Sequence, residues 1–221
     1  MGLIHTYKYN DDLFKKVTTL PGATNHGMVM VLDWSGSMSS NMKGTVEQLL
    51  QLVMFCRRTK IPFEVFAFSS VYAYCQENYD QESEELYKAN YGELTIDNKT
   101  RLLNFFSSKM TPAEEEKMMH YIWMMAKRFS QFYEDWHVTG SPSPRQFALG
   151  QTPLDDTIVI MMDFLEKYKK STGVQKLNAI FLTDGASNRS LGVKDCVGDK
   201  DVDNPLTADN LLIDPINNKR Y

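Results

Sequence analysis

The stretch from Met28 to Met38, Met-Val-Met-Val-Leu-Asp-Trp-Ser-Gly-Ser-Met, limits the possible folds more than any other part of the chain. Its apolar run, Met28 to Leu32, has no polar alternate and fits a strand buried on both faces, as in the middle of a parallel sheet. A parallel neighbour needs a crossover connection, so helices are expected between the strands. The run leads directly into Asp33, Ser35 and Ser37, and the spacing D-x-S-G-S lets alternate side chains of one tight loop converge. Open α/β sheets bind ligands at this carboxyl edge. Every donor on the loop is oxygen, which suits a hard cation such as Mg²⁺. Taken alone, the loop equally fits an ordinary strand-to-helix turn with serine caps.

The following segments support an α/β chain. Ser39 to Asn41 offer caps, and Val46, Leu49, Leu50, Val53 and Met54 recur at helical spacing until Pro62 forbids continuation. Phe63 to Phe68 alternates and is rich in β-formers, which predicts a strand beside the first, extended or paired through Val71 to Tyr74. Gln76 to Arg101 is polar and acidic and is expected to be a solvated loop. Thr111-Pro112-Ala113-Glu114 forms a capping box with proline at the first helical position. It precedes a stripe of Met118, Ile122, Met125, Phe129, Phe132 and Trp136. Met119, Trp123, Met124 and Tyr133 widen this stripe; burial in an inserted helical layer is expected, with an adaptable methionine surface as the alternative.

Thr152-Pro153 opens a further helix carrying Leu154, Ile158, Met161, Met162, Leu165 and Tyr168, which Gly173 ends. Leu177 to Leu182 returns as a buried strand whose exit, Thr183-Asp184-Gly185, brings a second carboxylate to the edge that holds Asp33. Asp199, Asp201 and Asp203 have the spacing of a calcium loop. They lack its turn glycine, replaced by Asn204, and its closing glutamate, replaced by Asn210, so a solvated acidic loop is expected. Leu211 to Pro215 reads as a short strand.

Asp33, Ser35 and Ser37, followed by the distant Thr152 and the distant Asp184, match in order the five-position pattern of the metal-ion-dependent adhesion site. The chain here resembles the von Willebrand factor A (VWA) family. The resemblance covers about residues 28–185 and implies a Rossmann-like, doubly wound, mainly parallel sheet with a helical insertion. It implies that the Ser35, Ser37 and Thr152 hydroxyls ligate Mg²⁺, or Mn²⁺, directly. Asp33 and Asp184 would then hold the ion through waters or as acceptors behind the hydroxyls. Family members complete the coordination with a carboxylate from a partner protein, and the amino end of the helix after Ser37 favours such an incoming anion. Gln151 stands where the family commonly has a second glycine. The long insertion and the Asp-Trp-Ser-Gly-Ser-Met form are most similar to the VWA domains of cobaltochelatase large subunits, MoxR-associated proteins and large tailed phages. That likeness implies a non-catalytic adaptor working with an AAA+ ATPase. Relative to complete family members the chain is expected to be incomplete at its carboxyl end. Residues 1–27 would be a covering segment or the end of a preceding region, and 28–221 the VWA-like domain with its insertion at about 76–150.

Other classes fit less well. A net charge of −4 with no concentrated basic face offers nothing for nucleic-acid phosphates. No apolar run is long enough to span a bilayer, and the three cysteines, an odd number without C-x-x-C spacing, suit a reducing compartment, so a cytoplasmic setting is expected. A Mg²⁺-dependent phosphatase or phosphotransferase using Asp33 would need a second acid and a basic residue on the loop, and neither accompanies it. A serine hydrolase would need the G-x-S-x-G elbow at Ser35, which is absent. A domain that retains the metal pattern for stability alone remains the third alternative.

Overall fold

The computed structural model describes residues 25–70, 89–97, 99–132, 147–185, 187–188, 191–197, 200–205 and 213. The expectations for residues 1–24, Val71 to Tyr74, Tyr133, Trp136 and Asp199 lie outside them, as do those for Leu211–Pro215 apart from the exposed Ile213.

The central strand β1 (His26–Asp33) lies between β2 (Phe63–Ser70) and β5 (Lys176–Leu182), parallel to both. A fourth strand, β4 (Thr100–Ser107), adds to β2 in the antiparallel sense, giving the order β4-β2-β1-β5. The fold is therefore α/β with a mixed, mostly parallel sheet, a pattern found in many doubly wound folds with an antiparallel edge strand. Val29, Met30, Val31 and Leu32 have no exposed surface, as expected of a strand covered on both faces. Met30 and Leu32 face α1 (Met42–Thr59) and α2 (Pro112–Phe132), whereas Val29 and Val31 face α3 (Leu154–Thr172). Each such side chain contributes about 1.5–3 kcal/mol relative to exposure.

α1 buries Met42, Val46, Leu49, Val53 and Cys56, and burial raises the pKa of the Cys56 thiol, in keeping with a core filler. The helix ends where Lys60 adopts φ 58°, with Ile61 N bonding back to Cys56 O at 2.9 Å. In α2 the capping box forms as expected. The Thr111 amide and hydroxyl both donate to Glu114 Oε2 at 2.9 Å and hold that carboxyl below its usual pKa. Burial of the wide α2 arc is incomplete. Ile122, Met125 and Ala126 are in the core, and Met118, Met119 and Trp123 are half-buried, but Met124 is 69% exposed.

Two differences from expectation concern strands. The acidic segment ends in β4 and contains the short β3 (Leu94–Thr95), and the aspartate-rich stretch near residue 200 forms a hairpin of β6 (Gly192–Val197) and β7 (Lys200–Pro205). β3, β6 and β7 make a second, antiparallel sheet. Backbone pairing holds these polar strands, so no apolar periodicity marks them.

Arg57, near the end of α1, fastens the turn between β4 and α2. Its guanidinium pairs with Glu115 and donates to the carbonyls of Ser108 (2.7 Å), Met110 (2.9 Å) and Ser107 (3.1 Å). Arg57→Met keeps most of the stem but leaves those acceptors and the largely buried Glu115 without their donor. The expected cost is about 2–3 kcal/mol. Urea unfolding followed by circular dichroism checks this; a midpoint unchanged from wild type would refute it.

Candidate metal centre

The residues matching the five-position pattern are brought to the carboxyl edge of the sheet from three chain segments. β1 ends at Asp33, which has no exposed surface. The loop after it is held from behind: Trp34 N donates to Phe68 O at 2.9 Å, and Ser69 Oγ donates to Trp34 O at 2.8 Å. Ser35 is 1% exposed and Ser37, opening a 3-10 turn (Ser37–Ser40), is exposed, so the site rises from a buried floor to an open rim.

The second segment is stapled alongside. Ser35 and Gly150 form a parallel bridge, with Gly36 N to Gly150 O at 2.9 Å and Gly150 N to Trp34 O at 3.2 Å. Thr152, two residues on, is 7% exposed, and its hydroxyl has no hydrogen-bond partner among the described residues. The sequence suggests Thr152 as an N-cap and Pro153 as the first helical residue. Instead α3 begins at Leu154 with Pro153 at the boundary, and the cap-like bond to Asp155 N comes from Ser187 Oγ at 3.0 Å. Gln151 needs no special backbone angle, because Lys60 is the one non-glycine residue with positive φ among those described. Its amide donates to Ser70 Oγ at 3.0 Å.

The third segment leaves β5. Asp184 is exposed and its Oδ1 accepts a 3.1 Å bond from Ser37 Oγ, which lies 3.0 Å from Ser35 Oγ. The neighbouring Thr183 donates its hydroxyl to Asp33 Oδ2 at 2.7 Å. Asn188 N then bonds Thr152 O at 2.8 Å, tying the third segment to the second. Hydrogen bonds thus link Ser35, Ser37 and Asp184, and Asp33 is tied to them through Thr183, the chain neighbour of Asp184, which the five-position pattern omits. No hydrogen bond joins Thr152 to this cluster among the described residues; its backbone is fixed two residues from the Gly150–Ser35 bridge and by the bond to Asn188. Thr183 could have been noticed from its place beside Asp184 at a strand end, but its partner is 150 residues away in sequence.

The electrostatics centre on Asp33. Burial raises its pKa and the nearby Asp184 carboxylate adds to the rise, while Ser35 and Thr183 oppose it. Among these neighbours only Thr183 makes a hydrogen bond of good geometry, and Asp33 Oδ1 is left buried without a donor. A buried carboxylate oxygen without a donor or cation is unfavourable. Among the described residues no three His, Cys, Asp or Glu side chains are grouped to hold a metal. A centre at this edge would use two carboxylates and three hydroxyls, a donor set suited to a hard ion.

The described cavities lie elsewhere. One of about 710 Å³ runs beside α2 past Met110, Met118, Tyr121 and Met124, and one of about 430 Å³ is an open groove along the seam of the packed helices α1 and α2 at Met54 and Trp123. No described helix is long and apolar enough to cross a membrane. Comparison of the chain with family models, curated proteins and solved structures returned no match.

Proposed function

We propose that this sheet edge is a Mg²⁺-dependent protein-binding centre of the VWA type, through which the chain docks as a non-catalytic adaptor on an acidic residue of a partner protein. The AAA+ ATPase partner is part of the same proposal and rests on the sequence resemblance alone. The observation that carries the metal reading is Asp33 Oδ1, a buried acceptor without a donor beside a linked set of hydroxyls and a second carboxylate. Ser35, Ser37 and Thr152 would hold the ion, with Asp33 and Asp184 supplying the negative charge that balances it. When bound, Mg²⁺ would supply a Lewis-acidic contact for a partner carboxylate. The complete burial of Asp33 favours this reading over the phosphotransfer alternative, since a nucleophile must reach its substrate.

The expected result is a Mg²⁺-dependent rise in melting temperature that EDTA abolishes. With free Mg²⁺ at a hundredfold over Kd the gain is about 2.7 kcal/mol, or roughly 5–10 °C for a domain of this size. Asp184→Ala, at an exposed position, should fold but lose most of this gain. The partner reading is tested by retention of proteins on the immobilised chain in Mg²⁺ and in EDTA, with folded Asp184→Ala as control. Retention that ignores both metal and substitution would reject adhesion through the centre, and absence of any Mg²⁺ effect on melting would reject the centre itself.

A further inference from the structure

We propose that Thr183, which lies outside the five-position pattern, is the positioning residue that gives the centre its preference for Mg²⁺ over Ca²⁺. This inference rests on the metal reading above. Thr183 occupies a junction: its backbone leads directly into Asp184, while its side chain crosses to the end of β1 and donates to Asp33 Oδ2 at 2.7 Å. One residue therefore links the positions of both carboxylates. The hydroxyl also accepts a longer bond from Gly185 N at 3.4 Å, which helps fix its donor direction toward Asp33.

The consequence for Asp33 follows from counting acceptors. Oδ2 is committed to Thr183, whereas Oδ1 has no donor and no exposed surface. With one oxygen pinned, the carboxylate cannot swing freely, and Oδ1 is held in one direction before any ion arrives. Mg²⁺ demands near-ideal octahedral geometry, while Ca²⁺ accepts more ligands at longer and more variable distances, so rigidity of the donor set separates the two ions. Releasing Asp33 from Thr183 should therefore harm Mg²⁺ binding more than Ca²⁺ binding. Removing an outer hydrogen bond to a metal-site group typically costs about 10–100-fold in affinity.

The test uses the whole chain, titrated calorimetrically with MgCl₂ and separately with CaCl₂, as wild type, Thr183→Val and Thr183→Ser. Melting in EDTA provides the metal-free comparison. Thr183→Val should weaken Mg²⁺ binding by about 10–100-fold and Ca²⁺ binding clearly less, whereas Thr183→Ser, which keeps the donor, should retain the wild-type ratio. A purely structural role would lower the EDTA melting temperature of Thr183→Val while leaving the Mg²⁺/Ca²⁺ ratio at the wild-type value, and that result overturns the proposal without touching the metal centre. A wild type that binds neither ion overturns the metal reading and this inference with it. If Thr183→Val does not fold, Thr183→Ala is read by the same criteria.

Discussion

Gly150→Ala should be among the most damaging single substitutions in the chain, costing more than about 3 kcal/mol. A Cβ built on Gly150 would lie 2.0 Å from Ser70 O, 2.5 Å from Ser69 Oγ and 2.9 Å from the Ser70 carbonyl carbon. Two of those atoms are backbone at the end of β2, so they cannot swing aside as a flexible side chain would. The third belongs to a hydroxyl already bonded to Trp34 O. The glycine thus marks the point where three backbones meet: the exit of β1, the end of β2 and the segment leading to Thr152. Relief of the clash requires the 147–152 segment to move, breaking its two backbone bonds to Trp34 and Gly36. Thr152 would move with it. Thermal melting checks the stability loss. For any folded fraction, Mg²⁺ titration should show weaker binding, because one proposed hydroxyl ligand is displaced. A melting temperature equal to wild type would contradict the close approach of these segments.

Trp34→Ala should cost about 3–5 kcal/mol, the range for truncating a buried large aromatic. The indole has no exposed surface and meets Phe105 and Phe129 edge-on, with ring centroids 5.1 Å and 5.5 Å away. Its Nε1 donates to Phe147 O at 2.9 Å. The side chain inside the D-W-S-G-S loop therefore joins the loop to β4, α2 and the 147–150 segment at once. Trp34→Phe restores much of the apolar volume but leaves the Phe147 carbonyl without its donor, and should recover part of the loss while remaining about 1–3 kcal/mol below wild type. Urea unfolding of both variants by far-ultraviolet circular dichroism measures the order. Equal stability of Trp34→Phe and wild type would show that the Nε1 bond contributes nothing.

The parts of this architecture that sequence reveals are those with one dominant physical cause. β1 is legible because a strand covered on both faces has no polar alternates, and α2 because Thr111 and Glu114 mark its start before any apolar stripe begins. β4 is harder to see. Its pairing with β2 shifts register between Val65 and Phe66, so Phe105 and Phe106 are both buried although adjacent, which breaks the period of two. Arg101 and Asn104 on the same strand are polar for reasons visible only in space: Arg101 bonds Ala148 O at 2.6 Å and Asn104 bonds Glu64 at 3.0 Å. At the candidate centre, the loop spacing and the family resemblance propose Asp33, Ser35, Ser37, Thr152 and Asp184 as the metal-holding residues. They do not identify Thr183, because an ordinary strand-end threonine acquires its partner only when β5 lies beside β1.

That adjacency sets the time at which the centre can exist during synthesis. Asp33 and Thr183 are separated by 150 residues. At ordinary elongation rates of about 5–20 residues per second, roughly 8–30 s pass between their appearances. Throughout that interval the apolar β1 lacks one of its two neighbours, an open strand edge of the kind that recruits other chains. A newborn chain therefore has the Asp33–Ser37 loop in sequence well before it has the second carboxylate in place. Dependence on chaperones should be greatest before the residue-176 strand emerges, and any metal-driven stabilisation can begin only afterwards.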